Sequence, residues 1–386
     1  MKKRVALLVG SPAPQDSRFE RMAVSPKYEI EVYYCRRTQT DQQWRMHAIP
    51  YPATFLNNWA PSFWRQYPLV SDINPGIWLA LTRFGPEIVV VNGFATVTCL
   101  LAVLWALCHH VPFLLRGDSN VLDETRPSRR RNSLRGWYLR WLVRHASAFP
   151  AIGELNHRFW KSYGADPKKI FFVPLGVETD YFREQAEPFR ARRREIRLEN
   201  GWAYDYLVLY VGRLVRQKRI DVLIEAMRTL QEARKDVALL IVGDGAERQQ
   251  LEDRAKGLKN VDFLGFKDRP ALPHYYAVAD VFVIPSEVEA WGMVVGEALA
   301  CGLPVIATRK VGAAWDLIQE GKNGYIVPEN DSAALAVAID RACQSDRVAL
   351  GETESQEMVA DWGIDAHVRG LHSALDFCML DSDASP

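Results

Sequence analysis

Two carboxylates and two cations stand out by residue type and spacing. Glu289 and Glu297 have seven residues between them in Pro285-Ser286-Glu287-Val288-Glu289-Ala290-Trp291-Gly292-Met293-Val294-Val295-Gly296-Glu297, and an apolar helical period begins at Met293. Eight positions at a helical rise of ~1.5 Å set the two carboxylates up to ~12 Å apart, too far to work as one acid/base pair. They can grip two ends of an extended ligand, because carboxylates accept hydrogen bonds from vicinal hydroxyls. Gly292 would let a phosphate approach the N–H groups of Met293 and Val294, where the helix dipole is positive. The cations lie in Gly212-Arg213-Leu214-Val215-Arg216-Gln217-Lys218-Arg219, directly after the apolar run Tyr206–Val211. A guanidinium and an ammonium five residues apart at the start of a helix suit a phosphate, and exposed surface basics are the other reading of that spacing.

Such loops need a scaffold that presents them together. Short, continuous apolar runs recur at Val5–Val9, Glu29–Tyr34, Ile88–Val91, Phe113–Leu115, Ala148–Ile152 and Ile170–Val173, then at Tyr206–Val211, Val237–Val242, Val261–Leu264, Val281–Ile284, Val305–Ala307 and Tyr325–Val327. Continuous rather than alternating hydrophobicity fits parallel strands covered on both faces, with the intervening helical periods as crossovers. Those periods are clearest at Ile220–Glu232, Glu247–Leu258, Ala271–Val278, Met293–Cys301 and Ala333–Cys343. In such sheets ligands bind beyond the carboxyl ends of the strands. The rhythm breaks at Arg183–Asn200, which holds Arg190, Arg192, Arg193, Arg194 and Arg197 and reads as an interdomain linker with a flanking, solvated helix. At ~150 residues per domain, 386 residues suffice for two cores. The division expected is a first domain over 1–183, a linker over 184–200 and a second domain over 201–355.

In order and spacing, Gly212-Arg213 with Lys218, Val242-Gly243-Asp244-Gly245, Phe263-Leu264-Gly265-Phe266, Pro285-Ser286 and Glu289 to Glu297 followed by Ala300-Cys301-Gly302-Leu303-Pro304 resemble the donor-binding domain of the family 4 retaining glycosyltransferases. The resemblance covers about residues 205–330. Ile170–Phe182 is similar to the end of that family's first domain, and Trp362–Leu375 to its closing helix, so that 356–380 would cross back to the first domain. The resemblance implies the GT-B fold, an α/β architecture of two doubly wound parallel-sheet, Rossmann-like domains facing across a cleft. It implies that Arg213 and Lys218 hold a donor diphosphate beside Gly212 and that Glu297 holds the ribose hydroxyls. Backbone groups at Phe266 and Lys267 would meet the base. Glu289, with the backbone of Ala290, Trp291 and Gly292, would meet the transferred sugar, and Met293 and Val294 would complete the donor site. No cofactor or metal is required in such a site; the donor would be a UDP- or GDP-linked sugar and the acceptor a glycan or a lipid-linked hydroxyl. The dinucleotide fingerprint fails at Gly243-x-Gly245-x-x-Arg248, leaving a strand-to-helix turn. The one DxD, Asp381-Ser382-Asp383, lies in a polar tail.

The first half is less explicit. Gly10 follows the first run where the family commonly has paired glycines, and Asp118, after Arg116-Gly117, holds the place of a family histidine near the reaction centre. Gly10, Asn92 and Arg116 are the expected acceptor-side residues, with Asp118 either catalytic or a loop-capping aspartate. Gly312-Ala313 and Asp316 stand where the family has a glycine pair and a glutamate. Arg126, Arg129, Arg130, Arg131, Arg135, Arg140 and Arg144 accompany Trp137, Tyr138 and Trp141, and Phe55, Trp59, Phe63, Trp64 and Tyr67 form an aromatic stretch. The 126–144 segment suits a peripheral contact with an anionic membrane; a solvated helix with its aromatic rings packed inward fits it as well. No nucleic-acid motif accompanies the charge.

Composition bounds these readings. Hydrophobic content of 48%, charged content of 25% and a net charge of +1 exclude a disordered or collagen-like chain. The six cysteines lack CxxC spacing and read as buried thiols of a reducing, cytoplasmic compartment, with the inner membrane face as a further location. Met1–Arg4 before Val5–Val9 mimics a leader but reads as a first strand. Val97–Cys108, at twelve residues, is too short for a membrane span and reads as a buried helix. Two further functions stay open at this point: another GT-B enzyme such as a nucleotide-sugar epimerase or a hydrolase, and an inactive nucleotide-sugar-binding scaffold.

Overall fold

Every strand pairing among the described residues is parallel, as the continuous apolar runs require. The structure is a computed structural model that describes residues 2–12, 17–37, 49–61, 63, 67–122, 133–344 and 353–383. It divides into unit 1, Met1–Gly176 with Ile364–Pro386, and unit 2, Val177–Gly363.

Unit 1 contains β1 (Lys3–Val9), β2 (Tyr28–Tyr34), β3 (Ala53–Phe55), β4 (Ile88–Asn92) and β5 (Phe113–Arg116) in the order β3-β2-β1-β4-β5, with a separate pair β6 (Phe149–Ala151) and β7 (Ile170–Phe172). Successive side chains of a strand point to opposite faces. Ala6 and Leu8 therefore join Val103, Trp105, Leu139, Phe159 and Trp160 on one side of the sheet. Val5 and Leu7 join Phe19, Met22, Leu371, Ala374 and Leu375 on the other. The C-terminal helix Ile364–Asp383 thus supplies part of the core of unit 1. Burial of side chains this size stabilises by about 1.5–3 kcal/mol each. The short edge strand β3 was not expected; three residues give no apolar run to read.

Unit 2 contains β8 (Tyr206–Val211), β9 (Val237–Val242), β10 (Val261–Gly265), β11 (Val281–Ile284), β12 (Val305–Thr308) and β13 (Gly324–Val327) in the order β10-β9-β8-β11-β12-β13. Its five expected helices occur, although the one read over Glu247–Leu258 is confined to Arg248–Arg254. Ile220, Leu223, Met227, Leu335 and Ile339 cover one face of the sheet.

Three expectations are corrected. The stretch read as a linker is helical at Thr179–Ala191 and Arg193–Glu199 and belongs to unit 2. Its arginines are only partly solvated: Arg193 and Arg197 pair with the buried Asp280, which also accepts from the Leu207 N–H at 2.6 Å, and Arg190 donates to the Cys301 carbonyl. Positions 193 and 197 stand four apart on one face of the helix Arg193–Glu199, a signal that charge alone obscures. Cys108 is exposed, unlike the other five thiols. The C-terminal helix runs into the polar tail as far as Asp383. Val97–Cys108 is a buried helix capped by Thr96, and no helix among the described residues is long and apolar enough to cross a membrane.

Candidate functional site

Beyond the carboxyl ends of the strands of unit 2, the loops are bonded to one another through their backbones. The Gly212 N–H donates to Val242 O at 3.0 Å, Leu214 N–H to Asp244 O at 2.9 Å, Gly243 N–H to Gly265 O at 2.9 Å and Glu287 N–H to Gln217 O at 2.9 Å. Any side chain at Gly243, where φ is 146°, would overlap the Gly212 carbonyl oxygen, so the turn after β9 admits only glycine. The Val242-Gly243-Asp244-Gly245 turn is therefore a lock for the Gly212 loop. Glu289 is held the same way, its N–H donating to Lys310 O and its carbonyl accepting from Gly312 N–H, both at 3.2 Å. A Cβ at Gly312 would overlap the Ala290 carbonyl oxygen, and Ala313 N–H reaches Trp291 O at 2.8 Å.

This framework brings Lys218 and Glu289 together in an ion pair, with both side chains mostly shielded. Tyr210 lies in the field of Glu289 and of Arg213, and its hydroxyl donates to Arg213 O at 3.1 Å; burial above all, then Glu289, raises its pKa. Arg213 itself is exposed. Gly292, at φ 98°, turns the chain into the helix Met293–Ala300, whose first N–H groups have no acceptor within the helix. Inside that helix the buried Glu297 accepts from the Tyr276 hydroxyl at 3.0 Å. Burial and Glu297 together push the Tyr276 phenol well up, so the tyrosine remains a donor.

Phe266 is partly exposed at the end of β10, and Lys267 sits 5.7 Å over the Tyr275 ring. Arg269, two residues after Lys267, was missed by sequence reasoning. It pairs with Glu178, lies 4.4 Å over the Tyr181 ring and is depressed in pKa by burial, with Glu297 acting in the opposite sense. Ser286 Oγ and Trp291 Nε1 are buried without a partner, and the Trp291 ring stacks on Trp362 at 5.6 Å. Both stood in the quoted motif, yet only burial marks them as unsatisfied.

In unit 1, Gly10, Asn92 and Arg116 lie at the carboxyl ends of the adjacent strands β1, β4 and β5. Gly10 O accepts from Arg36 N–H at 2.9 Å, and Arg36 pairs with the buried Asp72 at 2.8 Å. Asp118 is exposed on the loop after β5, which Asn156 Nδ2 holds by donating to Gly117 O at 2.9 Å and Ser119 O at 2.5 Å. Burial pushes the Arg116 guanidinium down to about 10, Arg18 adds to the shift and Asp118 opposes it. On the helix Leu134–His145 the aromatic residues divide: Tyr138 and Trp141 stack at 6.3 Å against the core, whereas Trp137 points outward with Arg140 at 5.1 Å. Arg126, Arg129, Arg130, Arg131 and Trp64 lie outside the described residues.

Two doubly wound parallel sheets with these loop clusters define the GT-B class of fold. Anabaena HepE, solved in complex with UDP, shares it at a TM-score of 0.71 over 97% of this chain and 100% of that one, with 18% identity. Residues 192–359 match the family model described as glycosyl transferases group 1. An Arabidopsis thaliana sulfoquinovosyl transferase is 35% identical over 187 residues, which are 48% of this chain and 34% of that one. A GDP-mannose-dependent alpha-(1-6)-phosphatidylinositol monomannoside mannosyltransferase of Mycolicibacterium smegmatis is 35% identical over 206 residues, 51% of this chain and 49% of that one. The chain thus spans a third to a half of the length of these curated relatives. The family match thus falls within unit 2.

Proposed function

We propose that the protein is a retaining, metal-independent glycosyltransferase that moves a hexose-type sugar from a nucleotide diphosphate sugar to an acceptor hydroxyl. The observation that carries this reading is the Lys218–Glu289 pair beside the Gly292 turn, at the start of the helix in which Tyr276 clamps Glu297. Arg213 and Lys218 neutralise the charge that builds on the departing diphosphate, a task preorganised cations perform without reorganising at the moment of reaction. Glu297 accepts from the ribose hydroxyls, Phe266 and Lys267 meet the base, and Glu289 with the Ala290–Gly292 backbone orients the sugar. The acceptor attacks from the face the diphosphate leaves, and a donor phosphate oxygen takes its proton, so no protein nucleophile is needed.

The UDP complex of the Anabaena neighbour supports a UDP-linked donor, and the GDP-mannose dependence of the mycobacterial relative supports a GDP-linked one. The phosphatidylinositol monomannoside in that relative's name also supports a lipid-linked acceptor, met by Gly10, Asn92, Arg116 and Asp118. The exposed Leu134 and Trp137 with Arg140 support a peripheral contact of segment 126–144 with the inner face of the membrane. A binding scaffold without turnover is favoured by the single Gly10 and by Asp118 in place of a histidine.

Thermal shift against UDP, GDP, ADP and their sugars, without metal, tests the donor class, since ligands of the native state raise its stability. Selective stabilisation by one nucleotide is expected; silence toward all of them overturns the donor site. Glu289→Ala, Arg213→Ala or Lys218→Ala should each remove most transfer with the fold intact, and wild-type turnover by Glu289→Ala would sink the assignment. Donor conversion without an acceptor would identify an epimerase or a hydrolase, and donor binding without turnover a scaffold.

A further inference from the structure

Unit 1 holds two buried basic side chains, Arg116 and His367, and the half-buried Arg18, whose joint role is still open. Arg116 is 5% exposed, its guanidinium has no ion pair or side-chain hydrogen bond among the described residues, and its Nη2 is enclosed and unpartnered. His367, in the first turn of the helix Ile364–Asp383, is fully buried, with Nδ1 2.6 Å from Pro174 O. A carbonyl can only accept, so Nδ1 carries the proton and the enclosed, unpartnered Nε2 holds the lone pair of a neutral ring. Arg18 donates to Leu175 O at 3.0 Å. The segment 174–176 draws Arg18 and His367 together: a Cβ at Gly176 would lie 3.1 Å from Arg18 Cγ and 3.3 Å from His367 Cβ.

We propose that Arg116, Arg18 and His367 form an oxyanion site that takes a phosphate or carboxylate group carried by the acceptor. The proposal rests on the reading of unit 1 as the acceptor-binding half. Three observations support it. Arg116 ends β5, and in open α/β sheets ligands bind beyond the carboxyl ends of the strands. A guanidinium buried without an anion is costly to maintain, and a two-oxygen ligand matches its fork. The site is also electrostatically coupled: burial, Arg116 and Arg18 hold His367 well below its usual pKa, and Arg18 also depresses Arg116. Asp118 acts on Arg116 in the opposite sense, and Arg21 and Asp365 pair with each other at 3.4 Å on the surface. An arriving anion relieves the field of the two guanidiniums, so Nε2 takes a proton from solvent and becomes a second donor. Binding is therefore linked to uptake of one proton.

The test follows the His367 ring by NMR in the full chain, with its signals assigned through His367→Gln, during titration with inorganic phosphate and separately with acetate. Saturable shifts of the His367 signals are expected, with a rise in its titration midpoint of about one unit. Arg116→Gln should weaken binding about tenfold, and Arg116→Lys, which keeps the charge without the fork, less so. Response to phosphate alone assigns a phosphoryl group, and response to acetate alone a carboxylate. Silence toward both, or undiminished binding in a folded Arg116→Gln or Arg116→Lys protein, overturns the proposal in favour of an internal water. UDP and GDP titrated in parallel separate the two readings. Nucleotide binding with a silent His367 fails this site alone, and a responsive His367 without nucleotide binding fails the donor reading alone.

Discussion

The loops at the carboxyl ends of the two sheets differ in how closely their backbones approach one another. In unit 2 they bond to each other backbone to backbone, from Gly212 to Val242, Leu214 to Asp244, Gly243 to Gly265, Glu289 to Lys310 and Ala313 to Trp291. In unit 1 backbone bonds join Arg36 to Gly10 and Gly93 to Arg116 without so close an approach, and side chains add to the fastening. Asn74 Nδ2 donates to Cys35 O at 3.0 Å and Leu56 O at 3.3 Å, Thr98 Oγ1 to Asp72 O at 2.9 Å, and Asn156 to the loop after β5. Backbone locks need close approach, and therefore glycine at fixed places. Side-chain locks need only an amide or a hydroxyl within reach, and leave the neighbouring loops free to vary.

The contrast breaks most directly at Gly243. Gly243→Val should cost more than ~3 kcal/mol in urea denaturation and abolish nucleotide binding, because no relaxed backbone accommodates a side chain there. A folded, donor-binding Gly243→Val protein would show that the backbone lock is dispensable. Next in size, Glu289→Gln should lower transfer by about 100-fold or more while leaving the melting temperature within a few degrees. Asn156→Ala, in unit 1, should destabilise by about 1–3 kcal/mol through two unsatisfied carbonyls and leave nucleotide affinity unchanged. If it weakened nucleotide binding as much as Gly243→Val, the separation of roles between the units would fail.

The smallest effect expected is that of pH. His367 is neutral in the fold and has a folded pKa well below its unfolded value of 6.5. Its contribution to stability is then complete above pH 6.5 and is lost progressively as the pH falls below that value, because the unfolded state binds the extra proton. His274 and His372 are depressed in the same direction. Thermal unfolding between pH 7.5 and 5 should show this slope, and His367→Gln should flatten it; an unchanged slope would exclude His367 as its source.

The same difference explains what could be read in advance. Strands such as Val237–Val242 and Val281–Ile284 are apolar on both faces and announce themselves, and Gly212, Gly243 and Gly312 mark close approaches at readable spacing. Arg269 and Tyr276 escaped because their work is defined by Glu178 and Glu297, which are distant in sequence. His367 and Arg18 escaped for the same reason, since Pro174–Gly176 unites them only in the fold. The arginines at 193 and 197 were visible as charge, but their partner Asp280 is a single aspartate some eighty residues on, with nothing local to announce it.

Val177 and Gly363, the first and last residues of unit 2, pair as a parallel bridge, with Val177 N–H donating to Trp362 O at 3.1 Å. Unit 2 is therefore a continuous insert whose ends meet, able to close on itself as soon as residue 363 has been made. Unit 1 begins first but waits for Leu371, Ala374, Leu375 and Cys378 to cover Val5, Leu7, Phe19 and Tyr28. At translation rates of roughly 5–20 residues per second, the stretch from 177 to 383 takes on the order of 10 to 40 s. Throughout that interval the part of this face that the C-terminal helix covers lacks its partner. A need for chaperone cover during synthesis is the outcome expected from the order in which the chain is made.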